Sequence, residues 1–239
     1  ATQTEVKEQV DLMYSLIHQQ VDAIVLVPID SKALVQPVVE AVRKGVPVIN
    51  IDIRLDTQLL EQAGVEVAFV GPDNFAAAYE VGKLLDKKLR NEDKVAIIEG
   101  LAAADNAQQR KRGFIKAIEE KGLRLVASEP ADWETEKAAE VFQAMWMRYP
   151  DLKAVYCSND AMALGVLQQM QEKNCYLPVV GFDNDAVMKE FLSTGKLVAT
   201  ADIFSSQMAV RGIEFALDVL EGKIENRGVH STAYEIIKQ

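Results

Sequence analysis

The chain has 239 residues, of which 49% are hydrophobic and 26% charged, a composition that supports a buried core and excludes a disordered chain or a coiled coil. Its 26 basic and 36 acidic residues give a net charge of -10, which disfavours binding to nucleic acid or to an anionic membrane. No apolar run approaches the ~20 residues of a membrane span, and the opening ATQTEVKEQV has neither region of a signal peptide.

An amphipathic helix is the first predicted element, over residues 4–20. Four apolar residues at spacings of four, three and four mark its buried face: Val6, Val10, Met13 and Ile17. Eight β-branched runs follow, starting about 20 to 30 residues apart, which is the length of a strand and a crossover helix. They are 23–27, 46–51, 67–71, 95–99, 124–127, 154–157, 178–181 and 197–201. This rhythm predicts a doubly wound parallel α/β sheet.

Helix patterns between the strands support the alternation. A second apolar face combines Val81, Leu84, Leu85 and Leu89. Gly45 and Gly122 follow basic residues at positions where a helix is expected to end. The helix-first order is irregular, because a doubly wound sheet normally opens with a strand. Either the fold begins unusually or about one βαβ unit is missing.

Cysteine and histidine are scarce. Cys157 and Cys175 are predicted to be small buried thiols, with a disulfide as the alternative. His18 and His230 each stand alone, without an HExxH motif or a cysteine cluster. Because nucleotide-binding glycine motifs and the GxSxG elbow are also missing from the sequence, we expect no catalytic residues, no metal site and no cofactor.

Polar and aromatic side chains follow several predicted strands, and the carboxyl ends of parallel strands are where ligands bind. They occur in the segments 52–54, 99–101, 132–133, 158–160 and 182–184, with Arg110 farther along after the fourth strand. Carboxylates, an amide and a guanidinium match the adjacent hydroxyls of a sugar or polyol. Trp133 and Phe182 can cover the apolar face of such a ring.

Each of these residues also has a structural interpretation. Asp160, and Asn184 or Asp185, precede helices and are candidate N-caps. Asp52 is a candidate turn residue, and Arg110 a candidate solvated base. In addition, Trp146 is predicted to pack within a helix interface, and an Asp52–Asp183 acid/base pair of a glycosidase is the enzymatic alternative.

From about residue 21 to its end, the chain resembles the periplasmic sugar-binding proteins of ABC transporters, in particular the ribose-binding-protein-like group of the type I periplasmic binding fold, which is related to the LacI superfamily. The matching segments are VDAIVLVPIDSKALVQPVVEAVRKGVPVINID, VGPDNFAAAYEVGKLL, RKRGFIKAI, AVYCSNDAMALGVLQQMQ, VVGFDND and GKLVATADIFSSQMAVRGIEFALDVLEGK.

The resemblance implies two lobes, each a doubly wound parallel sheet, joined by three hinge crossings around a ligand cleft. It places 1–72 plus 204–232 in the first lobe and 73–203 plus 233–239 in the second. Its ligand contacts match Asp52, Leu101, Arg110, Trp133, Asn159, Phe182 and Asp183, with Arg54 and Asp202 as further candidates.

Two departures from the family pattern stand out. Where the ribose binders carry polar side chains, this sequence has Val27, Ile53, Pro72 and Ile203, which puts ribose itself in doubt. The family also begins with a strand, a helix and a second strand, so we expect the first lobe to be incomplete at its N-terminus by roughly 35 to 45 residues.

The resemblance implies a non-enzymatic receptor that captures a sugar or polyol, closes by hinge motion and delivers it to an ABC transporter permease. It also implies a periplasmic or other extracytoplasmic protein, its signal peptide removed, with a lipoprotein anchor as one variant. We expect a monomer that binds no nucleic acid. The alternatives are the effector-sensing core of a LacI-type repressor and the sensor domain of a receptor kinase.

Overall fold

The structure is a computed structural model and describes residues 5–238 apart from the side chain of Asp86. In chain order its elements are α1 (Val6–His18), β1 (Ile24–Leu26), α2 (Val35–Arg43), β2 (Val48–Ile51), α3 (Thr57–Gln62), β3 (Phe69–Gly71), α4 (Asn74–Asp86), β4 (Lys94–Glu99), α5 (Asp105–Lys121), β5 (Arg124–Pro130), α6 (Thr135–Arg148), β6 (Ala154–Cys157), α7 (Asp160–Glu172), β7 (Val179–Val180), α8 (Met188–Ser193), β8 (Leu197–Asp202), α9 (Ser205–Leu220), β9 (Val229–Ser231) and β10 (Glu235–Lys238).

The chain divides into two units. One takes Ala1–Pro72, Ala103–Asn106 and Phe204–Ala233, and the other takes Asp73–Ala102, Ala107–Ile203 and Tyr234–Gln239. The predicted boundaries differ from this division at two places, since they left 103–106 in the second lobe and placed Ala233 there as well.

The first unit, over its described residues, has a parallel sheet in the order β1-β2-β3-β9. Met13 and Ile17 of α1 pack with α2 and Val48 on one face, while Ile49 and Ile51 pack with Ala216 of α9 on the other. Because β2 is covered on both faces, its sequence is a nearly continuous apolar run rather than an alternating one.

Asn50 interrupts that apolar run at the carboxyl end of β2. Its Nδ2 donates to the Ile53 carbonyl at 2.8 Å, and its Oδ1 accepts from the Leu55 amide at 2.9 Å. The buried amide therefore shapes the bend that follows β2 and carries Asp52.

The second unit, over its described residues, has a sheet in the order β10-β8-β7-β6-β4-β5, with β10 antiparallel to β8 and the other pairs parallel. Phe142 of α6 and Met162 of α7 belong to the core on one face. Phe114 of α5 lies 5.4 Å from Tyr156 of β6, ring centroid to ring centroid. This arrangement directs the carboxyl ends of the parallel strands to one edge.

The eight predicted strands are all present: four are shorter than predicted by two residues, three are longer by one to three residues, and one matches. The first helix runs over Val6–His18 instead of 4–20. Thr4 lies outside the described residues. Gly45 and Gly122 end helices with φ of 83° and 72°, which confirms their predicted role. The patterns missed β9, because its Val-His-Ser sequence is exposed throughout and shows no apolar alternation.

Three of the structural interpretations are decided by local geometry. Trp146 stacks on Phe142 of the same helix at 5.9 Å between centroids and packs against the core of the second unit, which confirms that it is a packing residue. Both cysteines are free thiols, Cys157 buried and Cys175 half-buried, so the disulfide alternative is wrong. The N-cap of α8 is Val187, so the cap prediction for Asn184 or Asp185 is wrong as well.

The remaining cap prediction is wrong by one residue. Asn159 is the N-cap of α7, and its side chain accepts a hydrogen bond from the Met162 amide at 2.9 Å. Asp160 is the first helical residue, and its fully buried carboxyl points elsewhere. Within residues 5–238, none of the helices is both long and apolar enough to cross a bilayer.

Candidate functional site

The carboxyl ends of β4, β6 and β7 are neighbours in the second unit. They are followed by Leu101, by Asn159 and by the pair Phe182–Asp183. From β4 the chain adds β5 on one side of the sheet and then β6 on the other, so the strand order changes direction between β4 and β6. Such a switch point forms a crevice at the sheet edge, where open α/β sheets bind their ligands.

Arg110 of α5 is the centre of this edge. It is only 3% exposed. Its Nε donates to Oδ1 of Asn74 at 2.9 Å, and its Nη1 donates to the Ser158 carbonyl at 2.8 Å. These two bonds fix the plane of the guanidinium. The alternative that Arg110 is an ordinary solvated base is therefore wrong.

Two aromatic rings flank the guanidinium. Its carbon lies 3.7 Å from the centroid of the Phe182 ring and 5.5 Å from that of Trp133. Phe182 is fully buried, whereas Trp133 is partly exposed. The Phe182 ring therefore supports Arg110 within the protein, and Trp133 is the aromatic group that reaches solvent.

The Trp133 indole packs against Gly100, where any side chain would displace it. A Cβ on Gly100 would lie 2.1 Å from Cη2 of the indole, so the ring rests directly on the backbone after β4. Asp132 and Trp133 both have positive φ, 51° and 71°, and Asp132 forms an ion pair with Lys137. The hydrogen bond with Asp132 raises the pKa of Lys137, so the lysine stays charged and the ion pair ties the turn to α6.

Asp183 completes the cluster. Its Oδ1 lies 3.4 Å from Nη1 of Arg110, and 30% of its side-chain surface is exposed. The buried guanidinium thus orients a carboxylate that remains accessible. A carboxylate with this charge partner is a strong hydrogen-bond acceptor for hydroxyl groups.

The other candidates of the second unit lie around this cluster. Asn159 uses its side-chain oxygen as the cap of α7, which leaves its amide nitrogen for another contact. Leu101 is half-buried after β4. Asp202, at the end of β8, accepts from Nδ2 of Asn184 at 2.9 Å.

Asp52 and Arg54 belong to the first unit. Asp52 has φ of 62° and donates its amide hydrogen to the Val70 carbonyl at 3.1 Å, so it occupies a turn as one interpretation predicted. The guanidinium carbon of Arg54 lies 5.5 Å from the centroid of the Phe69 ring. The structure thus groups Arg110, Trp133 and Phe182 with Asp183 in one unit, and Asp52 with Arg54 in the other.

Sequence reasoning missed Asn74, which is 1% exposed and holds Nε of Arg110. It looks like an ordinary residue at the start of a helix, where Asp73 is the N-cap. Its segment GPDNFAAA does follow β3, but Asn74 is the first residue of α4, where a polar side chain is expected for the helix start alone. A buried asparagine near an arginine can be found only once the fold brings them together.

Similarity to known proteins identifies the family of this chain. The family model described as a periplasmic binding protein domain matches residues 1–224. The chain belongs to the periplasmic binding protein family. A D-ribose/D-allose-binding protein of Pseudomonas aeruginosa is 41% identical over 240 residues, covering 98% of this chain and 75% of that protein.

Solved structures of this family agree in fold. An ABC transporter solute-binding protein of Burkholderia multivorans matches with a TM-score of 0.94 and 40% identity, over 99% of this chain and 84% of that one. A periplasmic solute-binding protein of Actinobacillus succinogenes with bound D-allose matches with a TM-score of 0.91 and 31% identity, over 98% and 84%. These matches confirm the predicted family and the type I periplasmic binding fold. The family consists of solute-binding proteins rather than enzymes.

Proposed function

We propose that this periplasmic binding protein binds a sugar or polyol, and that Asp183 and Trp133 contact the ligand while Arg110 orients them. The observation that carries the proposal is the way Arg110 is held. Three polar contacts and two rings fix a buried guanidinium beside an accessible carboxylate. A preorganised acceptor beside a partly exposed indole suits a ring that has hydroxyls on its edge and C–H groups on its face.

The relatives support the ligand class. Their names specify D-ribose and D-allose, and one solved relative holds D-allose. The predicted contacts Leu101 and Asn159 extend the same sheet edge. In the first unit, Asp52, with Arg54, is the predicted polar contact, and Asp202 beside Asn184 is a further one in the second.

Apolar residues occupy positions where the ribose binders carry polar side chains, and this difference should change the sugar specificity. Ile53 and Ile203 are 3% and 4% exposed and offer no hydrogen bonds from their side chains. An unpaired buried hydroxyl costs about 1 to 3 kcal/mol, so we expect this protein to rank sugars differently from a ribose-specific binder. The affinities for D-allose and for the pentoses should therefore be compared in the same titration series.

The proposed role is transport. The protein delivers its ligand to an ABC transporter permease, outside the cytoplasm, as a monomer without catalysis. A LacI-type repressor core dimerises, so gel filtration at micromolar concentration separates the two roles. A dimer would favour the repressor, and a monomer the transport receptor or a kinase sensor domain.

The direct test is titration with D-ribose, D-allose and a panel of pentoses, hexoses and polyols, followed by calorimetry and tryptophan fluorescence. The chain has two tryptophans, Trp133 and Trp146. The W146F variant should keep the fluorescence response and W133F should lose it. If no sugar or polyol gives heat or a fluorescence change, the proposal is wrong.

A further inference from the structure

The loop after β7 has an unfavourable backbone conformation at the ligand-contacting position. Asp183 and Asn184 have φ of 108° and 57°. Non-glycine residues in such regions are strained, and they persist when surrounding contacts hold them. Contacts from neighbouring groups must therefore hold this loop.

A buried pair, Asp160 and Thr200, binds the two residues that follow Asp183. Oδ2 of Asp160 accepts from the Asp185 amide at 2.8 Å. Oγ1 of Thr200 accepts from the Asn184 amide at 3.2 Å and donates to Oδ1 of Asp160 at 2.9 Å. Both side chains are 0% exposed.

The backbone on the other side of the loop is fixed as well. The Asp160 amide donates to the Phe182 carbonyl at 2.7 Å, and the Asp183 amide donates to the Ala201 carbonyl at 2.7 Å. The loop is therefore tied to the first turn of α7 and to β8 at four successive residues, 182–185.

Gly181 shows how closely the carboxyl of Asp160 approaches this loop. A Cβ at Gly181 would lie 2.0 Å from Oδ1 of Asp160, so any larger residue would displace the carboxyl. The carboxyl of Asp160 occupies the space that a side chain at residue 181 would need. An N-cap role does not require this arrangement, because Asn159 already caps the helix.

We propose that Asp160 and Thr200 are positioning residues for ligand binding: they hold the backbone of residues 183–185 so that the Asp183 carboxylate faces Arg110 and the ligand. The inference rests on the proposed function of Asp183 as a ligand contact. Neither side chain touches the ligand itself.

The charge of Asp160 matters to this role. Burial raises the pKa of Asp160 to about 7, and the carboxylates of Asp183 and Asp185 add to the rise, whereas the bonds from the Asp185 amide and Thr200 oppose it. The neighbouring titratable group on β6 is the Cys157 thiol. Burial raises the pKa of this thiol well above its usual value. The ionised carboxyl accepts from both donors, so ligand affinity should strengthen as the pH rises through about 7.

The binding test uses D-allose and D-ribose with three variants at the pair and one control. T200V removes the hydroxyl while keeping the shape, and we expect the affinity to fall about tenfold. T200S keeps the hydroxyl and should bind within about twofold of the wild type. D160N should lose most of the change in affinity between pH 6 and pH 8. T194V, at the exposed Thr194, is the matched control and should bind as the wild type does.

A ligand-free measurement separates this inference from the proposed function. The Asp185 amide resonance should titrate with a midpoint near pH 7 in the wild type and not in D160N. Hydrogen exchange at the Asn184 amide should be faster in T200V than in T200S. If the amide titrates but no sugar or polyol of the panel binds, the proposed function fails while the pair's hold on the loop stands. If T200V binds both sugars as tightly as T200S does, the inference is wrong while the proposed function stands.

Discussion

The guanidinium carbon of Arg110 lies 3.7 Å from the centroid of the Phe182 ring. The two residues come from α5 and from the loop after β7, and their stacking joins two neighbouring elements of the second unit. A planar guanidinium can stack and donate at its edge at the same time, which an ammonium cannot.

Replacing Arg110 with lysine should weaken sugar binding about 10- to 100-fold, because the stack and the bond to Asn74 are both lost. Calorimetry with D-allose and D-ribose measures the change. R112K, two residues away at an exposed position of the same helix, is the control and should bind normally. Equal affinities for R110K and R112K would contradict the role given to Arg110.

Asn74→Ala should lower both stability and affinity. The substitution leaves Nε of a buried arginine without its acceptor, which costs about 1 to 3 kcal/mol in the free energy of unfolding. Denaturant unfolding measures the first effect and calorimetry the second. Wild-type affinity in N74A would show that Arg110 does not need this bond for its position.

Gly100→Ala should displace the Trp133 indole, since the new methyl group would lie 2.1 Å from it. In a W146F background the emission comes from Trp133 alone, and we expect a shift of the spectrum together with weaker sugar binding. An unchanged spectrum in G100A/W146F relative to W146F would place the indole elsewhere.

Asn50→Leu should destabilise the first unit by several kcal/mol, because the Ile53 carbonyl and the Leu55 amide each lose a buried partner, at about 1 to 3 kcal/mol apiece. Thermal unfolding followed by circular dichroism measures the loss. N226L, at an asparagine that bonds the Ala68 amide and the Val48 carbonyl from the other end of the sheet, tests whether the effect is specific to the Asp52 bend. If both variants lose stability but only N50L loses sugar affinity, the bend after β2 contributes to binding.

Stability should depend on pH through Asp160. The folded pKa is about 7 against an ordinary value of 3.8, so the folded state holds the proton more tightly. Its contribution is fully present below pH 3.8 and is lost as the pH rises toward 7, with a slope of up to about 1.4 kcal/mol per pH unit. Denaturant unfolding between pH 4.5 and pH 8 measures it. D160N should lack this part of the slope, and parallel curves for the two proteins would contradict the assignment.

Sequence predicted the fold better than it predicted the site. Strands such as β2 and β6 are buried on both faces, so their apolar runs are visible without a structure. Strand-end logic also found Arg110, Trp133 and Asp183, which lie together. It could not assign the cap of α7, because Asn159 and Asp160 are both good capping residues. It missed Asn74 because that contact joins residues 36 positions apart.

The antiparallel strand β10 has a consequence for how the protein is made. It completes the sheet of the second unit at β8, yet residues 204–233 of the first unit are translated between the two strands. A nascent chain that has not yet exposed β10 outside the ribosome therefore has a β8 edge without its partner strand. Until β10 emerges, that edge can pair with other chains. We expect nascent chains arrested in this interval to be the ones that depend most on chaperones.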